Sequence, residues 1–231
     1  QAAYAWVNPG VDPQSGFLHH VDVRTAQTAA GASLTGVLPW TLPAGDVGIA
    51  TGFEYRLEQA GQYNATPIGA RNVLQAGNWI SYQAQYHVEE GFLEVNAPVL
   101  KNFIVQTLDL DLAGRITNYS SSGLVETWKI GVNSQLTDDF RVRGFYSSDI
   151  RAPDVYDLYN PGGANQQQCA NWVVGLPTNP CSALPGGNPN LKPEQASTAA
   201  LGVVFTPSFI DGLTASLDWY DLRMHGAITT V

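Results

Sequence analysis

The chain has 231 residues, a formal net charge of −9 and only 13% charged residues, well below the usual quarter. Nothing concentrates Lys or Arg into a surface that could neutralise phosphates, so we expect no nucleic-acid partner. Hydrophobic residues make up an ordinary 44%, while 23 Gly and 14 Pro supply many turns. This composition suits a β-protein, either one with a lipid-facing surface or a secreted soluble one.

Neither a helical membrane span nor a signal peptide is predicted. A long uncharged run, residues 25–45, contains Pro39 and Pro43, which interrupt a helix. The opening residues QAAY have neither the basic region nor the apolar core of a signal peptide. The chain also starts without Met, so we expect it to be a processed or truncated piece of a longer protein.

Apolar residues alternate with polar ones along most of the chain, and helical spacing is nearly absent. The alternation predicts eight strands, near residues 22–38, 47–59, 83–96, 105–119, 124–135, 140–151, 194–205 and 213–228. Two of them change phase. In the third strand the apolar residues Tyr86 and Val88 occupy even positions, whereas Leu93 occupies an odd one. In the last strand the apolar positions change from odd, ending at Trp219, to even, beginning at Tyr220. A β-bulge or a misread register would explain either shift.

The polar face of these strands distinguishes a barrel from a sandwich. In the fourth strand Leu108, Leu110 and Leu112 share one face, while the other face carries Asp109, Asp111 and Arg115. Most of these strands run about 12 to 15 residues, whereas soluble strands usually have about 5 to 6. Long strands with one apolar and one charged face suit a barrel with lipid outside and water or a plug inside.

The links between the predicted strands alternate in length. Short links fall near residues 40–46, 97–104, 136–139 and 206–212, and the opposite links fall near 60–82, 120–123 and 152–193. Two of these three opposite links are long. An up-and-down membrane barrel has short turns on one side and long external loops on the other. The predicted fold is therefore all-β, an antiparallel up-and-down transmembrane β-barrel segment.

The two cysteines, Cys169 and Cys181, lie in one polar loop rich in Pro and Gly. Their spacing favours a disulfide over a metal site, which would need more ligands. Closing a ring of this size would contribute about 3 kcal/mol, and an oxidised pair implies an oxidising compartment. Two free thiols are the alternative.

Several motifs occur in one order in the second half of the chain. They are DIRAP at 149–153, YDLY at 156–159, GNPNLKPE at 187–194, LGVVF at 201–205, GL at 212–213 and LDWYD at 217–221. With these motifs in this order, the chain resembles the β-barrel of TonB-dependent outer-membrane receptors. Earlier segments fit the same resemblance, namely LPAG at 42–45, GFEYR at 52–56, WKIG at 128–131 and DDFRVRG at 138–144.

The resemblance implies that residues 1–231 are part of a barrel domain of about 22 strands, of which eight are present. The family's plug domain and its TonB-contacting segment are not among these residues. The implied protein lies in the outer membrane of a Gram-negative bacterium, in contact with lipid. It would bind a siderophore, an oligosaccharide or a similar scarce nutrient, and the TonB complex would energise import. It would need no cofactor and would perform no covalent chemistry.

Two sets of residues are candidates for specific roles. The resemblance gives a structural role, at the roots of the long loop, to one set: Arg151, Pro153, Asn188, Pro189, Leu191, Pro193 and Glu194. The second set consists of aromatic residues in the predicted external loops near 60–82 and 152–193: Tyr63, Trp79, Tyr82 and Trp172. Their rings could stack on sugars or on an aromatic siderophore, or they could form an interfacial belt or pack within the loops.

The sequence contains no catalytic constellation: it has no nucleophile elbow, no phosphate-binding loop and no dinucleotide fingerprint. His87 and Glu89 share one strand face, so a two-ligand metal patch is conceivable, but a polar pair facing the barrel lumen is the favoured interpretation. No metal site is predicted. The main functional alternative is a secreted soluble β-sandwich that binds carbohydrate.

Overall fold

A computed structural model describes residues 2–6, 21–64, 78–169, 179–183 and 186–229. Twelve strands and one helix lie in these ranges, in the following order: β1 (Ala2–Trp6), β2 (Val21–Leu42), β3 (Gly45–Asn64), β4 (Asn78–Trp79), β5 (Tyr82–Lys101), β6 (Thr107–Tyr119), β7 (Gly123–Gln135), β8 (Phe140–Arg151), α1 (Val155–Tyr159), β9 (Gly163–Cys169), β10 (Asn179–Ala183), β11 (Glu194–Phe205) and β12 (Ala215–His225).

Nine strands form one antiparallel sheet in the order β1-β2-β3-β5-β6-β7-β8-β11-β12. From β2 onward each strand pairs with the next long strand of the chain, which is the up-and-down topology predicted from the sequence. All eight predicted strands are present, and β2, β3 and β5 reach 20 residues or more. Within the described residues, no helix has the length and apolar character that a membrane span requires.

The register gives the sheet two chemically different faces. One face, called here the apolar face, carries Phe53, Leu93, Leu112, Ile130 and Leu201, all of them substantially exposed. The other, the charged face, carries acidic and basic side chains, among them Glu54, Arg56, Glu90, Arg115 and Lys129. Because side chains alternate across a strand, a continuous register keeps each set on one side over the whole sheet.

Neither phase change in the sequence is a β-bulge. The β3–β5 register runs without a shift from Gly48 to Gln62, and the β11–β12 register is also continuous. Tyr86 and Val88 lie on the charged face, where helix α1 contacts the strand. Val88 is 2% exposed and Leu158 of α1 is 1% exposed. The strand therefore keeps its register while its apolar residues pass to the other face, because a helix covers that face here.

Register shifts do occur elsewhere, between Val37 and Thr41 and between Pro98 and Leu100, near the short turns. Both follow or contain a proline, which cannot donate to the ladder.

A second, three-stranded sheet has the order β10-β9-β4. β9 pairs with β10 within residues 152–193, and with β4, where Trp79 lies opposite Gly163. The sheet thereby joins the segments that lead into β5 and β11. Cys169 lies opposite Asn179 and Cys181 opposite Gln167, so the cysteines sit two register positions apart on paired strands. The oxidation of the pair stays a prediction.

Candidate functional site

Helix α1 begins where the motif of residues 149–153 ends. Asp154 is the N-cap: its Oδ1 accepts a hydrogen bond from Asp157 N at 2.7 Å, and Asp157 Oδ2 accepts one from Asp154 N at 3.1 Å. This reciprocal capping box satisfies backbone donors that would otherwise lack partners. Pro153, which cannot continue a strand ladder, is fully buried just before it.

The turn that includes Asn188 packs directly on α1. Gly187 N donates to Asn160 O at 2.6 Å, and Asn188 N donates to Asp157 O at 2.9 Å. A Cβ on Gly187 would lie 2.6 to 2.8 Å from backbone atoms of residues 158–160, so only glycine fits. Asn188 Oδ1 also accepts from Asn190 N at 2.9 Å, which closes the turn locally.

Arg151 links this turn region to the strands. Its Nη1 donates to Glu194 Oε1 at 3.0 Å, and its Nη2 donates to Asp157 Oδ2 at 3.1 Å. Glu194 Oε1 also accepts from Ile228 N at 2.5 Å. One guanidinium therefore joins the end of β8, the start of β11 and helix α1. The carboxylate of Glu194 is almost fully buried, so Arg151 compensates a charge that would otherwise be costly.

A second ionic network lies on the charged face of β3, β5 and β6. Glu90 is buried, with its Oε1 at 3.0 Å from Arg115 Nη1 and its Oε2 at 3.7 Å from Arg56 Nη2. Arg56 also lies 3.3 Å from Glu54. The Arg115 guanidinium stands over the ring of Phe92, 5.8 Å from its centroid. Each arginine of this network has an acidic partner, and Glu58, Glu94 and Asp111 add further negative charge to the same face.

Tyrosines line the charged face between this network and the long-loop end of the sheet, where β5 begins and β6 ends. The rings of Tyr86 and Tyr119 are 6.4 Å apart, and Tyr156 of α1 lies close enough to Tyr82 to affect it electrostatically. Tyr82 and Tyr86 lie beyond the apolar part of β5. Burial is the main reason that the pKa of Tyr82 is raised, and burial with nearby Glu58 raises the pKa of Tyr86 to about 12.

The aromatic candidates from the sequence do not share one surface. Tyr82 lies opposite Gln62 on the charged face, whereas Tyr63 is exposed on the apolar face, opposite Asp22. Trp79 has a defined backbone position in β4, and Trp172 lies outside the described residues. The structure instead brings Tyr156 of α1 near Tyr82 and, further along β5, Tyr119 near Tyr86. The YDLY motif contained Tyr156, but alternation alone did not show which strand tyrosines would meet it.

His87 and Glu89 do not face the charged side, which corrects the favoured interpretation from the sequence. Their register partners Leu57 and Tyr55 lie on the apolar face, and the His87 ring stacks on Tyr55 with centroids 6.0 Å apart. Among the described residues, no group of three His, Cys, Asp or Glu side chains could hold a metal ion.

The charged face at the long-loop end is thus the candidate site. It combines the phenol groups of the tyrosines, the exposed aromatic surface of Tyr156 and the ion pairs of the sheet. Such a surface can bind a ligand by stacking and hydrogen bonding.

A family model described as "TonB dependent receptor-like, beta-barrel" matches residues 2–231. Among solved structures, a variant of the ferric enterobactin receptor PfeA from Pseudomonas aeruginosa is similar, with 18% identity and a TM-score of 0.66. The siderophore receptor PirA from Acinetobacter baumannii gives 16% and 0.61. Each match covers 94% of this chain and 30% of the other. None of the curated proteins compared with the chain matches it.

Proposed function

Because this chain belongs to the family of TonB-dependent receptor-like β-barrels, we propose that the whole protein is an outer-membrane receptor of a Gram-negative bacterium that imports a scarce nutrient. The family consists of transport receptors. The observation that carries the proposal is the two-faced sheet, with exposed Leu, Ile and Trp on one side and ion pairs on the other. The chain spans about 30% of the length of the solved relatives.

The apolar face supports contact with lipid. Its exposed side chains would cost free energy in water but not in a hydrocarbon layer. Aromatic pairs lie near both margins of this face: Trp128 with Tyr146 towards the long loops, centroids 5.5 Å apart, and Phe140 with Phe205 towards the short turns, 4.7 Å apart. Aromatic girdles of this kind mark the two interfaces of outer-membrane barrels.

The ligand would enter from the side of the long loops near residues 60–82 and 152–193, which are external in this proposal. Tyr82, with Tyr156 beside it, is positioned to contact the ligand. Tyr63, Trp79 and Trp172 are further candidates from the loop sequence. The nutrient would be a siderophore, an oligosaccharide or a similar molecule. The motif residues Pro153, Pro189, Leu191 and Pro193 would hold the loop roots, together with the bonded set Arg151, Asn188 and Glu194.

Import would draw energy from the TonB complex through parts of the protein beyond this chain. The proposed role involves binding and transport without covalent chemistry, a cofactor or a nucleic-acid partner. A secreted carbohydrate-binding sandwich is the competing function, but nine strands in one continuous up-and-down sheet do not form two packed layers.

Fractionation tests the location. The full-length protein should sediment with outer membranes and should migrate faster on gels before boiling than after. Recovery in the soluble fraction without detergent would refute the membrane proposal.

Uptake tests the receptor role. Deletion of the gene should abolish energy-dependent accumulation of at least one labelled siderophore or oligosaccharide, and Tyr82→Ala and Tyr156→Ala should weaken its binding. Leu34→Ala, an exposed change on the apolar face away from the loops, is the control. Equal effects of all three substitutions on binding would argue against a ligand site at α1.

A further inference from the structure

The short turns of the sheet carry exposed apolar tips. Phe103 and Ile104, in the β5–β6 turn, are each 79% exposed. Phe209 is 75% exposed in the β11–β12 turn, next to the exposed Ile210. Within the described residues nothing covers these side chains, although the turns of a water-facing rim are normally polar.

Hydrogen bonds between neighbouring turns fix the position of these tips. Gln106 N donates to Gln135 O at 2.9 Å, and the Gln106 side-chain amide donates to Asp138 Oδ1 at 2.5 Å. On the other side, Asp139 O accepts from Thr206 N and Asp139 Oδ1 from Ser208 N, both at 2.8 Å. The two aspartates of the middle turn therefore bind sideways to the adjacent turns. Three successive turns form one connected rim.

The height of the rim follows from the apolar face. Towards the long loops, the apolar part of this face ends at the first polar residue of each strand. These residues are Glu89 in β5, Asn118 in β6, Glu126 in β7, Ser148 in β8 and Ser197 in β11. A tilted transmembrane strand crosses the hydrocarbon layer in about 9 to 11 residues. Counting about ten residues from these positions reaches residues 99, 108, 136, 138 and 207, at or beside the three turns.

We infer that Phe103, Ile104, Phe209 and Ile210 insert into the lipid headgroup interface on the short-turn side and anchor the barrel there. The inference rests on the membrane location in the proposed function and adds a second lipid contact to it. Leu100 lies opposite Leu108 in the β5–β6 hairpin, so the apolar surface continues from the strands to the first tip. Lys101 stands beside that tip, where its ammonium can meet lipid phosphate.

The β2–β3 turn provides a contrast within the same sheet. On β3 the first polar residue towards the long loops is taken as Gln59, and counting about ten residues back from it ends the membrane-crossing part near residue 49. The β2–β3 turn lies beyond this point, at residues 42–45. Trp40 beside this turn is also 60% exposed, but Thr41 lies opposite Asp46 on the charged face and donates to it at 2.9 Å. We therefore expect Thr41 to be in contact with water.

Spin labels on single cysteines test the inference. The full-length receptor, with its native cysteines replaced by Ser, would carry Phe103→Cys, Phe209→Cys, Thr41→Cys or Leu112→Cys. Each variant is reconstituted into vesicles of phosphatidylethanolamine and phosphatidylglycerol, and folding is checked by its gel mobility before boiling. Collision rates are then measured with oxygen, which concentrates in lipid, and with a water-soluble nickel chelate.

The label at 112 should collide mainly with oxygen and the label at 41 mainly with the chelate. Labels at 103 and 209 should collide severalfold less with the chelate than the label at 41. Equal chelate access at 41, 103 and 209, with the label at 112 protected, would overturn the anchor while leaving the membrane proposal intact. If the label at 112 also met the chelate freely, the membrane proposal would fail and the anchor with it.

Discussion

Replacing Gly187 by Ala should detach the motif turn from helix α1. The new Cβ would lie 2.6 Å from Leu158 C, 2.7 Å from Tyr159 N and 2.8 Å from Asn160 N. These are backbone atoms of the helix, so a side-chain rotation cannot relieve the overlap. Either the helix moves away from Val88 or the turn undocks.

The expected cost follows from packing and hydrogen bonding. Overpacking a well-packed site costs about 1–3 kcal/mol. The two backbone hydrogen bonds that dock the turn, from Gly187 to Asn160 and from Asn188 to Asp157, contribute about 0.5–1.5 kcal/mol each. If the turn undocks to relieve the overlap, the loss of these bonds replaces the strain, so about 1–3 kcal/mol is expected in total.

Hydrogen exchange measures this loss locally. The amides of Leu158 and Asn160 donate to Asp154 O and Tyr156 O within α1. A loss of 1–3 kcal/mol should speed their exchange about 5- to 150-fold, because 1.4 kcal/mol is a factor of ten. The amides of β6 should be unaffected, since local opening does not require the sheet to open.

Gly186→Ala is the matched control. Its Cβ would approach no atom closer than Asn160 O at 3.3 Å, which a small adjustment can accommodate. Unchanged exchange in the Gly187 variant, or equal acceleration in both variants, would refute the close-packing argument.

Three further predictions concern the charged face. Arg151→Met should cost about 1–3 kcal/mol by leaving the buried carboxylate of Glu194 without its guanidinium, measured as faster proteolysis of the long loop. Gly202→Ala should overlap Asp218 Oδ1 and break its half-exposed ion pair, costing about 0.2–1 kcal/mol in urea unfolding. Tyr86→Phe should remove one phenol that titrates near pH 12, seen in the difference between near-ultraviolet titrations. The pKa of Tyr86 in the folded protein lies above the ordinary 10.0, so the neutral phenol stabilises the fold. This contribution to the free energy of unfolding is fully present below pH 10 and is lost as the pH rises towards 12.

Each of these has a discriminating control. Adding Glu194→Gln to the Arg151 variant should restore part of the protease resistance, and no restoration would mean that the stranded charge is not the cause. Gly114→Ala, on the apolar face with no atom within 4 Å of its Cβ, should not destabilise. If the titration difference between the native protein and the Tyr86→Phe variant appeared near pH 10, the argument that burial raises the pKa of Tyr86 would be refuted.

The strands could be predicted because the alternation of apolar and polar residues is a local property of the sequence. Alternation between neighbours gave the faces of β6 and β7, and the lengths of the links gave the up-and-down order. The motif near Asn188 pointed to the family, and the family model confirms it. The small sheet and α1 were not predicted, since short elements in a loop have little periodicity to detect.

By itself, the sequence determined that this chain forms a long-stranded sheet with an apolar and a charged face. The family resemblance of its motifs also predicted a structural role for residues beside the long loop, among them Arg151 and Glu194. Only the tertiary structure decided that Tyr86 and Val88 lie under a helix, that Arg151 joins Glu194 to Asp157, and that His87 faces away from the charged side. The physical reason is that alternation fixes which residues share a face. What covers that face depends on segments that are distant in sequence and meet only after folding.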